Sequence, residues 1–192
     1  MVHDRREVLH LFAGAGGGIL GSILKGEDII GCVEIEQYPR EVLLKRQQDG
    51  VLPVFPIWDD VTTFRLDNEE TREYIEFLKS RENLTIAGGF PCQDLSVAGK
   101  GDGLKGERSS LWFEFLRIVC EIRPKYIFVE NSAALIARGI DIVLGGLAKA
   151  GYDARWTVLS AEDVGAPHKR ERIWIEAVRG GAIREMADSD LS

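Results

Sequence analysis

Val8-Leu9-His10-Leu11-Phe12-Ala13-Gly14-Ala15-Gly16-Gly17-Gly18-Ile19 is the stretch on which the fold of this 192-residue chain turns. An apolar run of strand length, residues 8–12, breaks on alanine and glycine, and residues 19–24 resume with a helical pattern. A strand that turns through glycine into a helix opens a parallel α/β unit. Gly16-x-Gly18-x-x-Gly21 formally matches a dinucleotide fingerprint, but it starts several residues after the strand, and no Gly-Lys-Ser/Thr follows, which excludes a nucleoside-triphosphate P-loop. What remains is a tight turn whose backbone N–H groups suit a carboxylate or phosphate; a plain structural turn is the competing reading.

Outward from this turn, strand and helix patterns alternate. Residues 29–33 form a second β-rich run, and a helical pattern follows through Glu41-Val42-Leu43-Leu44. Residues 69–78 read as a helix with Thr71, Tyr74, Ile75 and Leu78 on one face, and residues 84–87 as a buried strand ending at Gly88-Gly89. Residues 110–122 form an amphipathic helix (Leu111, Phe115, Ile118, Val119, Ile122), capped by Ser109 or Ser110 and stopped by Pro124. Residues 126–129 make the next strand, 140–150 a helix ended by Gly151, and 156–159 and 172–177 two late strands. The alternation predicts an α/β fold, a mostly parallel, doubly wound sheet with helices on both faces. Ligands of such sheets bind beyond the carboxyl ends of the strands, so residues 12–17, Glu34, residues 89–92 and Glu130 are expected on one rim.

Composition narrows the class. Hydrophobic residues make 45% and charged residues 29% of the chain, a globular balance, and the net charge of −7 excludes a generic polyanion binder. The charge is uneven: residues 1–96 carry 10 basic and 17 acidic side chains, residues 97–192 carry 14 of each, so a polyanion would be met through the second half. Three cysteines without a CxxC pair argue against disulfides and a cysteine zinc site, and no metal is expected. No apolar stretch is long enough for a signal peptide or a membrane span, so a cytoplasmic protein is expected.

Gly88-Gly89-Phe90-Pro91-Cys92-Gln93 is the most informative segment chemically. Proline fixes its own φ and pushes Phe90 into extended geometry, so a thiol is presented rigidly at a strand end. A polar, glycine-rich loop follows Cys92, whereas Cys32 and Cys120 sit in apolar runs and read as buried structural cysteines. A thiolate is a soft nucleophile that can add to an electron-poor ring and later leave. Glu34, or Glu36 beside it, can accept hydrogen bonds from both ribose hydroxyls of a nucleoside cofactor; a solvated acid is the alternative. Glu130-Asn131 follows an apolar strand, where a carboxyl can donate a proton or simply cap the next segment. His168-Lys169-Arg170-Glu171-Arg172 reads either as a charged turn or as a device that places Arg172 at a strand start, aimed into the rim.

Taken together, these segments resemble the C5-cytosine DNA methyltransferases. Phe12-Ala13-Gly14-Ala15-Gly16-Gly17 looks like the family's first motif, which holds S-adenosylmethionine. Glu34 is similar to the ribose-binding acid, Ile35 stands where a bulky residue covers the adenine, and Asp60-Val61 matches the adenine-contacting pair, with Asp59 an alternative to Asp60. Gly89-Phe90-Pro91-Cys92-Gln93 resembles the catalytic motif, and Arg108-Ser109-Ser110-Leu111 the segment closing the mobile loop. Glu130-Asn131-Ser132 resembles Glu-Asn-Val with serine for valine, and residues 168–172 resemble Gln-x-Arg-x-Arg with histidine for glutamine.

The resemblance implies a Rossmann-like methyltransferase fold over residues 1–179, with a late antiparallel strand, and over 180–192 a tail or the start of a missing target-recognition region. It implies that Pro91 and Leu111 also line the cofactor site. The target cytosine is expected to flip out of double-stranded DNA. Cys92 would then add to C6, Glu130 engage N3 and the exocyclic amine, Arg172 contact the base carbonyl, and Arg170 help hold Glu130. A loop carrying Gln93, Ser96, Lys100, Lys105 and Arg108 would close over the DNA. Family members, such as restriction-modification enzymes, continue past the Arg172 strand into a target-recognition region and a last helix. The chain alone is therefore expected to bind S-adenosylmethionine weakly and to methylate DNA poorly or not at all. A second polypeptide supplying target recognition, or an inactive remnant acting as a binding module, are the alternatives.

Overall fold

β1 (Glu7–Leu11) ends one residue earlier than its apolar run suggests, because Phe12 turns to a φ of 54°. The computed structural model describes residues 5–91 and 111–180. Gly14 and Gly16 continue the turn at φ values of 52° and 91°, and Gly16 serves as the N-cap of α1 (Gly17–Leu24). A Cβ on Gly16 would also stand 2.8 Å from Leu43 Cδ2, so both the left-handed backbone and the close packing require glycine there. Gly18 and Gly21, by contrast, are exposed helical residues. The turn is built by residues 12–16, not by the formal GxGxxG match.

The chain continues through β2 (Asp28–Val33), α2 (Gln37–Gln48), β3 (Ile57–Trp58), α3 (Glu69–Lys79) and β4 (Leu84–Gly88). β1 pairs in parallel with β2 and β4, and β2 with β3, in the order β3-β2-β1-β4. Adjacent strand residues face opposite ways. Val8 packs with Ile19 and Leu43, which sets α1 and α2 on one face. On the other, a Cβ at Gly31 would meet Leu9 and the Tyr74 hydroxyl, which donates to the Ile30 carbonyl, so α3 covers that side. This half is doubly wound, as the alternation predicts. The buried face of α3 is Thr71, Ile75 and Leu78, and its Asn68 cap accepts from Glu70 N–H at 3.1 Å. β3 has no counterpart among the expected strands. At the end of β4, a Cβ on Gly88 would collide with the Leu11 carbonyl, so glycine permits the close approach of β4 to β1.

His10 on β1 lies under α1, 5% exposed and within 3.2 Å of the Ser22 hydroxyl. Burial pushes its pKa down from 6.5 to about 4, and Glu27 offsets this only in part. Cys32 is buried as expected; desolvation first and the nearby Glu34 second push its thiol up to about 12, so it stays an inert thiol.

The remaining elements are α4 (Leu111–Ile122), β5 (Tyr126–Ser132), α5 (Leu135–Arg138), α6 (Ile140–Lys149), β6 (Tyr152–Leu159), a 3-10 turn (Ala161–Val164) and β7 (Arg172–Arg179). Contacts gather the chain into two units, Met1–Gly89 with Ile118–Lys125, and Phe90–Arg117 with Tyr126–Ser192. In the second, β7 lies between β5 and β6 and runs antiparallel to both, the late antiparallel strand anticipated above. Ile173, Ile175 and Ala177 face inward, whereas Trp174 stacks on Phe128 of β5 with ring centroids 5.4 Å apart.

Two local readings are corrected. Cys120 is exposed, not buried: α4 buries Trp112, Phe115, Ile118, Val119 and Ile122, and Cys120 falls off that stripe despite its apolar neighbours. Glu130 is not at the end of a strand ending at Val129. β5 runs on to Ser132 because β7 continues to pair with it, Ser132 opposite Arg172, so Glu130 is a ladder residue and caps nothing.

Candidate functional site

In the first unit the chemistry gathers at Glu34, one residue beyond β2. Its carboxylate is 7% exposed and both oxygens are engaged by main-chain donors. Gly14 N–H donates to Oε2 at 2.6 Å and Glu36 N–H to Oε1 at 2.9 Å. Ala13 N–H bonds to the Val33 carbonyl at 3.1 Å, and Gly16 N–H to the Ala13 carbonyl at 3.0 Å, closing the glycine turn against the end of β2. The two acids Glu34 and Glu36 differ in placement. Glu34 turns into the glycine turn, while Glu36 is exposed and leads into α2 without a side-chain cap bond.

Phe12, Ala13 and Gly14 are half-buried, Gly16 is buried and Gly17 exposed. Ile35 is 62% exposed immediately beside the buried acid. Asp60 Oδ1 accepts from Thr62 N–H and from the Thr62 hydroxyl, each at 2.8 Å, and holds the turn that leads into buried Val61; Asp59 is exposed. Sequence reasoning missed two arginines of α2. Arg40 Nη1 donates to the carbonyls of Glu34 (3.0 Å) and Ile35 (2.5 Å), and Arg46 Nη1 to that of Ala15 (2.5 Å). Their one available signal was spacing: Arg40, Leu43 and Arg46 recur every third residue, on one helical face.

In the second unit, β5 carries two polar residues in succession, and strand alternation sends them to opposite faces. Asn131 is buried, and its Nδ2 donates to the Phe90 carbonyl at 2.9 Å while its Oδ1 accepts from Ser132 N–H at 2.8 Å. It thus ties down the residue before exposed Pro91. Phe90 itself is 3% exposed against Trp112, with ring centroids 5.3 Å apart. On the other face Glu130 Oε1 pairs with Arg172 Nε at 2.7 Å, a diagonal contact across the ladder, since Glu130 stands opposite Trp174. Arg172 also donates through Nη1 to the Glu171 carbonyl at 2.9 Å.

Of the two arginines, it is Arg172 that pairs with Glu130 in this structure, because Arg172 is inside the ladder two positions from the residue opposite the acid. Arg170 lies before the strand, exposed, its carbonyl accepting from Ala161 N–H at 3.3 Å. Leu111 begins α4, half-buried. Cys92, Gln93, Ser96, Lys100, Lys105 and Arg108 lie outside the described residues. Among the described residues no group of three or more His, Cys, Asp or Glu side chains can hold a metal ion, and no helix is long and apolar enough to cross a membrane.

Comparison with known proteins adds an independent line. The profile of the C-5 cytosine-specific DNA methylases matches residues 7–190. Among curated proteins, type II methyltransferase M.Sau96I of Staphylococcus aureus is 30% identical over 182 residues, which are 93% of this chain and 40% of that protein. Type II methyltransferase M.Eco47II of Escherichia coli is 35% identical over 178 residues, 90% of this chain and 39% of that one. The chain therefore spans well under two thirds of the relatives it matches. Among solved structures, a putative DNA modification methyltransferase encoded within an E. coli prophage superposes with a TM-score of 0.65 at 27% identity, covering 91% of this chain and 47% of its own. Spodoptera frugiperda DNMT2, at 19% identity and a TM-score of 0.69 over 93% of this chain and 51% of its own, shares the fold. The fold is thus the Rossmann-like α/β fold of these methyltransferases, and the chain belongs to the C-5 cytosine-specific DNA methylase family.

Proposed function

We propose that this chain carries the cofactor-binding and base-handling machinery of an S-adenosylmethionine-dependent DNA cytosine C5-methyltransferase. The observation that carries the reading is the pair of consecutive residues on β5. Asn131 tethers the Phe90 carbonyl, two residues before Cys92 in the sequence, while Glu130 is held by Arg172 on the opposite face.

The residues of the first unit fit a nucleoside cofactor. Each oxygen of Glu34 takes one backbone N–H and keeps a lone pair that can accept a ribose hydroxyl. Ile35, exposed next to it, offers an apolar surface to a purine ring. When bound, S-adenosylmethionine supplies an electrophilic methyl group on its sulfonium.

Cys92, as thiolate, adds to C6 of a flipped cytosine, and the electron pair of the C5–C6 bond makes C5 nucleophilic. Glu130 accepts from the exocyclic amine and, entering as the neutral acid, donates its proton to N3, which offsets the charge that accumulates on the ring. Arg172, occupied through Nε and Nη1, has Nη2 left for the base carbonyl. Once C5 has been methylated, a base removes its proton, the C5–C6 double bond re-forms and Cys92 leaves as thiolate.

Covalent trapping tests this reading. The chain is mixed with S-adenosylmethionine and duplex DNA containing 5-fluorocytosine, whose fluorine blocks proton removal, and run on a denaturing gel. A shifted band that disappears in Cys92→Ala is the expected result; a band of equal strength in both proteins would sink the assignment. The 39–40% coverage of curated relatives favours a second reading, in which target recognition comes from further sequence in cis or on a second polypeptide. That reading predicts a faint band or none from residues 1–192 alone and a strong one when the remaining portion is supplied.

A further inference from the structure

We infer that Arg40 and Arg46 of α2 are positioning residues for the cofactor, Arg40 through the Ile35–Glu36 peptide, whose N–H donates to Glu34, and Arg46 through the Ala15–Gly16 peptide, which closes the glycine turn beside it; the inference rests on the cofactor reading above. A trans peptide is planar, with its carbonyl and its N–H pointing opposite ways, so a donor that holds the carbonyl also aims the N–H. The Ile35 carbonyl accepts from Arg40 Nη1 at 2.5 Å, and the N–H of the same peptide, that of Glu36, donates to Glu34 Oε1 at 2.9 Å. The Ala15 carbonyl accepts from Arg46 Nη1 at 2.5 Å, and the N–H of that peptide, that of Gly16, bonds back to the Ala13 carbonyl at 3.0 Å. This second link closes the turn in which Gly14 N–H meets Glu34 Oε2 at 2.6 Å.

Between the arginines, fully buried Leu43 packs its Cδ2 toward Gly16 and fixes the distance from α2 to the turn. The helix therefore grips the glycine turn and the Glu34-Ile35 turn with two charged donors six residues apart, with Leu43 midway between them. Main-chain carbonyls at strand ends have few alternative partners, and a charged donor holds them more firmly than water does. Arg46 is exposed and Arg40 half-exposed, so neither guanidinium belongs to the core. Their loss is expected to loosen the turns without unfolding the unit.

The test combines calorimetric titration of S-adenosylmethionine with thermal unfolding of the unliganded protein, on wild type, Arg40→Met, Arg46→Met, the double variant and the two lysine variants. Each methionine variant is expected to bind about tenfold more weakly, the scale of one lost charge-assisted hydrogen bond, and the double variant more weakly still. The unliganded unfolding midpoint is expected to stay within about 3 °C of wild type. Arg46→Lys, which replaces a single-carbonyl contact, should recover more of the affinity than Arg40→Lys, which must reach two. Methionine variants that bind like wild type overturn the inference. So does a loss of affinity matched by a large fall in the unliganded midpoint, which marks a merely structural role. A wild-type chain that binds no S-adenosylmethionine at all overturns the cofactor reading itself, and the inference falls with it.

Discussion

Glu34 follows β2 in one unit and Glu130 sits in β5 of the other, and they are held in opposite ways. Glu34 is nearly inaccessible and takes its hydrogen bonds from two backbone N–H groups, whose places are set by turns. Glu130 is half-exposed and held by one side chain, the guanidinium of Arg172, at 2.7 Å. A carboxylate fixed by the main chain is a rigid acceptor, suited to binding the same hydroxyls every time. One held by a partly solvated ion pair is cheap to detach and can exchange its partner for an incoming base, because such pairs contribute about 1 kcal/mol or less. The contrast fits the proposed roles: one acid for a cofactor that must be bound reproducibly, one for a substrate base that must arrive, react and leave.

The largest expected effect separates the two units by pH. His10 stays neutral in the folded state with its pKa lowered from 6.5 to about 4, so between these values the unfolded chain binds the extra proton and stability falls as pH falls. The full loss across pH 6.5 to 4 is about 3 kcal/mol. Urea unfolding should show this slope, flattened in His10→Gln. At pH 5, amide protection factors, corrected for the intrinsic exchange rate, should fall in β1 and α1, which hold His10 and Ser22, more than in β5 and β7. An equal fall in both units would break the comparison at its root.

The carboxylates come next. Glu34→Gln sets an amide –NH2 against the N–H of Gly14 or Glu36, donor against donor, and is expected to cost about 2 kcal/mol of stability along with cofactor binding. Asn131→Ala strips the buried Phe90 carbonyl of its donor, for about 1.5 kcal/mol by denaturant unfolding, and should abolish the trapped adduct by releasing Phe90, two residues before Cys92 in the sequence. Glu130→Gln is the smallest in stability, below about 1 kcal/mol, yet should remove methyl transfer as completely as Cys92→Ala does. If Glu130→Gln proved as destabilising as Glu34→Gln, the two acids would not differ in the way their partners suggest.

Much of this was legible in the residues themselves. The strand, glycine turn and helix around Gly16 follow from a local apolar run and its interruption, and the structure moves the boundary at Phe12 by a single residue. The amphipathic faces of α3 and α4 follow from periodicity. Less legible was anything set by neighbours distant in sequence. β3 is two residues long and exists only because it pairs with β2, so no periodicity marks it. Cys120 stands among apolar residues, yet the rotation of α4 leaves it outside. The end of β5 was misplaced because β7, arriving some forty residues later in the chain, decides how far the ladder runs.

Residue types and their order by themselves determined the class of this protein: an α/β chain with a glycine turn, an acid after the second strand, a Phe-Pro-Cys sequence after a strand and a Glu-Asn pair, all features coded by short-range pattern. Which side chain holds which was decided only in three dimensions. That Arg172 rather than Arg170 meets Glu130 depends on the antiparallel register of β5 and β7, and a shift of one residue would turn it to the other face. That Arg40 and Arg46 grip the turns around Glu34 depends on how α2 lies across the end of β2. Local pattern encodes where a strand, a turn or a helix forms, because those preferences act over a few residues; partnership between charged groups depends on register and packing, which no single segment contains.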